Sequence, residues 1–150
     1  FGGGIDTTPC IEDRNLKKWF HNEIKLSCNK HNKSYYKKFK KKCDDYFYLP
    51  HRKENRGIGG IFFDYKKENW EKDFNFVRDV GLTFKRIFRE IIHKKNNKKW
   101  NKKEKEIQYL KRGRYVEYNW LYDRGTRFGL QTGGNTNAIL MSLPPLAKWK

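Results

Sequence analysis

Asp123 and Arg124 stand side by side and are followed at once by Gly125. A carboxylate beside a guanidinium, next to a glycine that lets backbone approach a ligand, has the makings of a reaction site. The same three residues could equally be a turn and its ion pair. Arginine also occurs at Arg52, Arg56, Arg112, Arg114 and Arg127, although lysine dominates: of 35 basic residues, 10 are Arg. Positions that keep Arg in such a chain point to use of the planar fork, which orients a carboxylate through two parallel hydrogen bonds. Structural pairing with Glu54, Glu117 or Asp64 is the competing use. His21 and His51 lie in ordered-looking contexts, while His31 and His93 sit in lysine-rich surface. His21 and His51 could share a metal ion only with further ligands; a hydrogen-bonded histidine beside aromatics is the alternative. Ser-His-Asp, HExxH and Cys-His signatures are absent, and the opening glycines match no nucleotide-binding motif.

The remaining numbers restrict the class of protein. A chain of 150 residues can bury one respectable core. No run approaches the roughly 18 apolar residues of a membrane helix, and no apolar stretch precedes a cleavage site. The expectation is a cytosolic chain, part of something longer because it starts at Phe1. Cys10, Cys28 and Cys43, without CxxC spacing, argue against a disulfide framework or zinc knuckle. The formal charge of +18 raises a nucleic-acid reading. The lysines are scattered along helical faces together with many asparagines, so drift of surface composition is the favoured explanation.

The elements that must position these residues follow from periodicity. Phe1–Asp6 is a glycine-rich strand, where glycine implies close approach of backbone or ligand. Leu16, Trp19, Phe20, Ile24 and Cys28 recur at helical spacing over 12–29, as do Tyr36, Phe39, Cys43, Tyr46 and Phe47 over 33–48. A polar loop at 51–57 enters a buried strand at 58–64. A long helix over 70–93 is expected to turn Phe74, Val77, Leu82 or Phe84, Ile87, Phe88 and Ile91 inward. A lysine-rich loop and a short helix ending near Lys111 follow.

Tyr115–Tyr122 is β-branched and aromatic and predicts a strand. Its alternation places Tyr115, Glu117, Asn119 and Asp123 on one face, opposite Val116, Tyr118, Trp120 and Tyr122. Gly133-Gly134-Asn135 predicts a turn before an apolar strand over 138–143. Paired helices with few strands give an α+β class with an antiparallel sheet flanked by helices.

Three stretches carry a resemblance: FGGGIDTTP, KKCDDYFYLPHRKENRGIGGIFFD and RGRYVEYNWLYDRGTRFGLQTGGNTNAILMSLPPLAKW. They resemble oxygen-dependent coproporphyrinogen-III oxidase along the whole chain, over about the second half of that family's sequence. The resemblance implies a single, incomplete oxidase domain over 1–150, built on a large antiparallel sheet. It implies haem biosynthesis: oxidative decarboxylation of two propionates of coproporphyrinogen III to vinyl groups, giving protoporphyrinogen IX. Molecular oxygen is the co-substrate, and no organic cofactor is implied.

The family's Asp-Arg pair falls on Asp123 and Arg124, and its Gly-Gly-Arg substrate contact on Gly133, Gly134 and Asn135. Histidines assigned as metal ligands in bacterial members fall on His21 and His51; eukaryotic members are described as metal-independent. The segment 115–150 corresponds to the family's homodimerisation region. Asn135 departs from the family's Arg and removes a propionate-binding cation. The family's general-acid histidine, a serine and an Asn-Val-Arg contact lie upstream of Phe1, so half an active site is expected. An Asp can accept pyrrole N–H groups and favour charge developing on the ring, and arginines can hold propionates. A remnant that dimerises without catalysis, and a basic nucleic-acid-binding protein, are the competing readings.

Overall fold

The computed structural model describes residues 1–149, which cluster into two compact units, one over Phe1–Lys99 and one from Trp100 onward. In the first, strand β1 (Gly3–Asp6) pairs antiparallel with β4 (Gly60–Phe63), Ile5 opposite Ile61 and Asp6 opposite Gly60. The glycines permit this closeness: a Cβ on Gly60 would lie 1.8 Å from the Ile5 carbonyl oxygen. Helices α1 (Arg14–Asn29) and α2 (Tyr35–Tyr46) follow β1, and a minimal hairpin of β2 (Tyr48–Leu49) and β3 (Glu54–Asn55) leads into β4. Helix α3 (Trp70–Lys95) completes the unit.

The core joins Phe20, Ile24 and Cys28 of α1, Phe39 of α2, Ile61 and Phe63 of β4, and Phe76, Val80 and Ile87 of α3. Cys28 and Cys43 are fully buried thiols, each pushed up to about 12, in both cases chiefly by burial. The helical spacing read for α1 and α2 is therefore the spacing of the core. The α+β class holds, with antiparallel pairing confined to short strands among the described residues.

Three expectations fail. In α3, Phe74, Leu82, Phe84 and Phe88 are 41%, 58%, 47% and 52% exposed, while Phe76, Val80, Thr83 and Ile87 face inward. The helix carries two apolar stripes, and polar partners select between them. Asp73 pairs with buried Lys66 at 2.6 Å, and the Thr83 hydroxyl donates to Ser27 Oγ at 3.0 Å.

The second failure is the strand at 115–122, which is the C-terminal half of helix α4 (Lys102–Leu121). A capping box starts that helix: the Asn101 side chain accepts from Glu104 N–H, and the Glu104 carboxylate accepts from Asn101 N–H. Once nucleated, the helix runs on through the aromatic segment, because local β preference yields to packing. Gly113 lets the chain end lie against it: an added Cβ would meet the Lys148 carbonyl oxygen at 2.3 Å, and Lys148 N–H donates to Tyr109 C=O at 3.1 Å. The proposed two-face alternation therefore does not exist. Tyr118 and Asn119 are buried together, and Glu117 pairs with Arg114 at 3.2 Å. Helices α5 (Arg124–Gln131) and α6 (Thr136–Leu140) follow, so the apolar run after Asn135 is largely helical rather than a strand. Lys150, the last residue of the expected dimerisation segment, lies outside the described residues.

Candidate functional site

Polar chemistry gathers at two places, one in each unit. In the first unit, His21 projects from α1 against the edge of Phe20. Its Nε2 lies 2.9 Å from the Ile58 carbonyl oxygen, which can only accept, so Nε2 carries the proton. Nδ1 is then the acceptor for the Tyr36 hydroxyl at 3.1 Å. Burial lowers the pKa of His21, with Lys40 and Lys17 adding to the effect, and raises that of the Tyr36 phenol. The result is a neutral imidazole of fixed tautomer.

Lys17, Lys18, Lys25 and Lys40 stand around His21 and Tyr36 in an open pocket of about 680 Å³. Lys40 is paired with Asp44 one helical turn away. A basin of this kind suits a ligand bearing carboxylates, which surface lysines attract.

Asp6 and Arg56 form an ion pair that sequence reasoning did not connect. The β1–β4 register carries Asp6 to Gly60 and so toward the loop holding Arg56, and Arg56 Nη2 donates to Asp6 Oδ2 at 2.5 Å. The guanidinium also lies 4.0 Å from the Phe47 ring centroid. Burial pushes the Asp6 carboxyl above its usual range, with Arg56 opposing. The signal available in the sequence was an acid at the end of a glycine-rich strand, but its partner needed the register.

In the second unit, Asp123 is the N-cap of α5, with Oδ2 accepting from Thr126 N–H at 2.7 Å and Thr126 Oγ1–H at 2.9 Å. Arg124 is the first helical residue and is exposed. Gly133 has φ of +71°, as a turn requires, and Gly134 N–H donates to Gly129 C=O at 2.9 Å, closing α5. Asn135 caps α6, its Oδ1 accepting from Ala138 N–H at 3.3 Å. Gly133, Gly134 and Asn135 are exposed. The structure thus gathers Asp123, Arg124, Gly133, Gly134 and Asn135 within one unit and places His21 and His51 in the other.

His51 is exposed between β2 and β3. Among the described residues, no group of three or more His, Cys, Asp or Glu is arranged to hold a metal ion. Both nitrogens of His21 are engaged, so it does not fit as a ligand without releasing Tyr36 or Ile58.

Comparison with known proteins gives the class. The family model described as coproporphyrinogen III oxidase matches residues 1–150. The chain belongs to that family. It is 55% identical over 150 residues to the oxygen-dependent coproporphyrinogen-III oxidase of Rickettsia rickettsii (strain Sheila Smith), covering 99% of this chain and 54% of the relative. The enzymes of that name from Rickettsia akari (strain Hartford) and Rickettsia bellii (strain OSU 85-389) are 53% identical, with the same coverage. The chain therefore spans about half the length of the curated relatives it matches.

Proposed function

We propose that this chain is part of an enzyme that oxidatively decarboxylates coproporphyrinogen III to protoporphyrinogen IX, with molecular oxygen as co-substrate. The observation that carries the reading is the family match over the whole chain. Each reacting propionate loses carbon dioxide, and a hydrogen with its electron pair passes to oxygen. Oxygen with one further proton becomes hydrogen peroxide, and the side chain becomes a vinyl group.

This chain's own residues bind and orient. Asp123 accepts pyrrole N–H groups and stabilises positive charge developing on the ring. Arg124 anchors a propionate or serves as the charged partner of Asp123, and Gly133, Gly134 and Asn135 contact substrate. Local capping supports rather than opposes the role of Asp123: a carboxylate has about four lone-pair sites, and its cap bonds hold it at a fixed place.

The residues 1–150 belong to one oxidase domain, homodimerisation uses the segment 115–150, and the enzyme works in the cytoplasm. Among the described residues, no helix is long and apolar enough to cross a membrane. The test is Asp123→Ala in an enzyme carrying this sequence at the full length of its relatives. Turnover of coproporphyrinogen III is expected to fall roughly a hundredfold or more, and normal turnover would refute the role of Asp123.

A further inference from the structure

The second apolar stripe of α3 has a use that its core-facing stripe does not explain. Trp70, Phe74, Gly81, Phe84, Phe88 and Ile92 follow one another at spacings of three, four or seven residues, which place them on one face of the helix. The stripe runs about 33 Å at 1.5 Å per residue. Its charged neighbours lie along one edge, in a chain of formal charge +18. Trp70 stacks on Phe74 with centroids 5.3 Å apart, and Phe84 on Phe88 at 5.7 Å. These aromatics nevertheless remain 70%, 41%, 47% and 52% exposed. Nothing lies within 4 Å of a Cβ on Gly81, at the middle of the stripe, so a partner backbone can come close there. Spacing of this kind suits a second helix laid along the first. Aromatic patches of such extent mark interaction surfaces.

The charge bordering the stripe limits what can cover it. Arg78, Lys85 and Arg89 are exposed along its outer margin. A second copy paired about Gly81 would bring these cations against their own counterparts. An amphipathic helix with an acidic margin would meet them with opposite charge. Such a helix has a natural source, because this chain matches 54% of the length of its relatives, and the rest of that fold needs apolar faces on which to pack.

We propose that the Trp70–Ile92 stripe of α3 is the docking face for an acid-margined amphipathic helix from the part of the oxidase fold outside these 150 residues. The proposal rests on family membership and not on the catalytic reading, so its test reads association rather than turnover. The 150-residue chain is co-expressed with a separate polypeptide comprising the remainder of the Rickettsia rickettsii relative. The thiol introduced by Phe88→Cys is expected to react with maleimide roughly tenfold more slowly in the complex than in the chain alone. A thiol introduced by Glu90→Cys, outside the stripe, should change little. Phe84→Glu or Phe88→Glu should lower co-purification roughly tenfold, because each forces a charge into the buried contact, while far-UV circular dichroism is retained.

The thiol measurement stands independently if either glutamate variant misfolds. The proposal is overturned if the remainder does not co-purify, or if the Phe88→Cys thiol reacts equally fast in the complex. It is also overturned if that thiol is already protected in the chain alone by self-association.

Discussion

His21 shows how a single side chain is committed by its surroundings. Burial and nearby lysines hold it neutral, and the Ile58 carbonyl fixes which nitrogen carries the proton. Folded His21 therefore resists protonation as pH falls through the ordinary imidazole value of about 6.5. Stability linked to it is present above that pH and is lost as pH falls through the depressed folded value. An NMR titration should find His21 titrating below the ordinary imidazole value, and Tyr36→Phe, by removing the donor to neutral Nδ1, should move it upward. Asp73 obeys the same sign. Its hydrogen bond to Lys66 holds the carboxyl below its usual range, with burial opposing. Its stabilisation is present above about pH 4 and disappears as pH falls through the depressed value. Asp73→Asn leaves Lys66 buried beside a neutral partner. Thermal unfolding should show it melting lower than the parent at neutral pH, with the gap closing in acid. An equal gap at all pH values would mean that charge is not the cause. Asp123 could be singled out by residue type, whereas Asn135 entered as a substrate contact only through the family resemblance. The Asp6–Arg56 pair could not be singled out, because it depends on a strand register that joins positions far apart in the chain.

Among the elements, those of the first unit were readable where one periodicity had one physical meaning. Phe20, Ile24 and Cys28, and likewise Phe39 and Cys43, recur at helical spacing and are buried. Helix α3 was harder because two stripes of similar apolarity compete, and the Asp73–Lys66 and Thr83–Ser27 contacts that settle the choice lie outside the helix's own periodicity. Helix α4 was misread because Tyr115–Tyr122 has strand composition, while the signal that overrules it, the Asn101–Glu104 capping box, lies well upstream. Asn101→Ala should destabilise α4 by about 1 kcal/mol, read as lower helical content and an earlier unfolding midpoint. Asn135 joins both levels, since it caps α6 where the family resemblance expects Arg. Asn135→Arg in a full-length enzyme should cost about 0.5–2 kcal/mol of local helix stability while lowering KM for the tetracarboxylate substrate. An unchanged KM would remove this position from the substrate contacts.

At the scale of the molecule, the α+β class was accessible from the pairing of helices with a few strands, but the division into two units was not. No glycine- or proline-rich linker separates them; the boundary at Lys99 falls in the same lysine- and asparagine-rich run that a surface loop would have. Chemistry-bearing residues occur in both units, His21, Tyr36, Asp6 and Arg56 in one and Asp123 and Arg124 in the other. The proposed reaction draws on length beyond these 150 residues, given the share of each relative that the chain covers. The most direct measurement is the appearance of protoporphyrin fluorescence after oxidation of the product, with coproporphyrinogen III and oxygen supplied. It compares this chain, the same sequence extended to the length of its relatives, and the extended form carrying Asp123→Ala. The account predicts turnover by the extended form, little by the 150-residue chain alone, and loss of turnover on Asp123→Ala. No turnover by the extended form, or undiminished turnover by its Asp123→Ala variant, would contradict it.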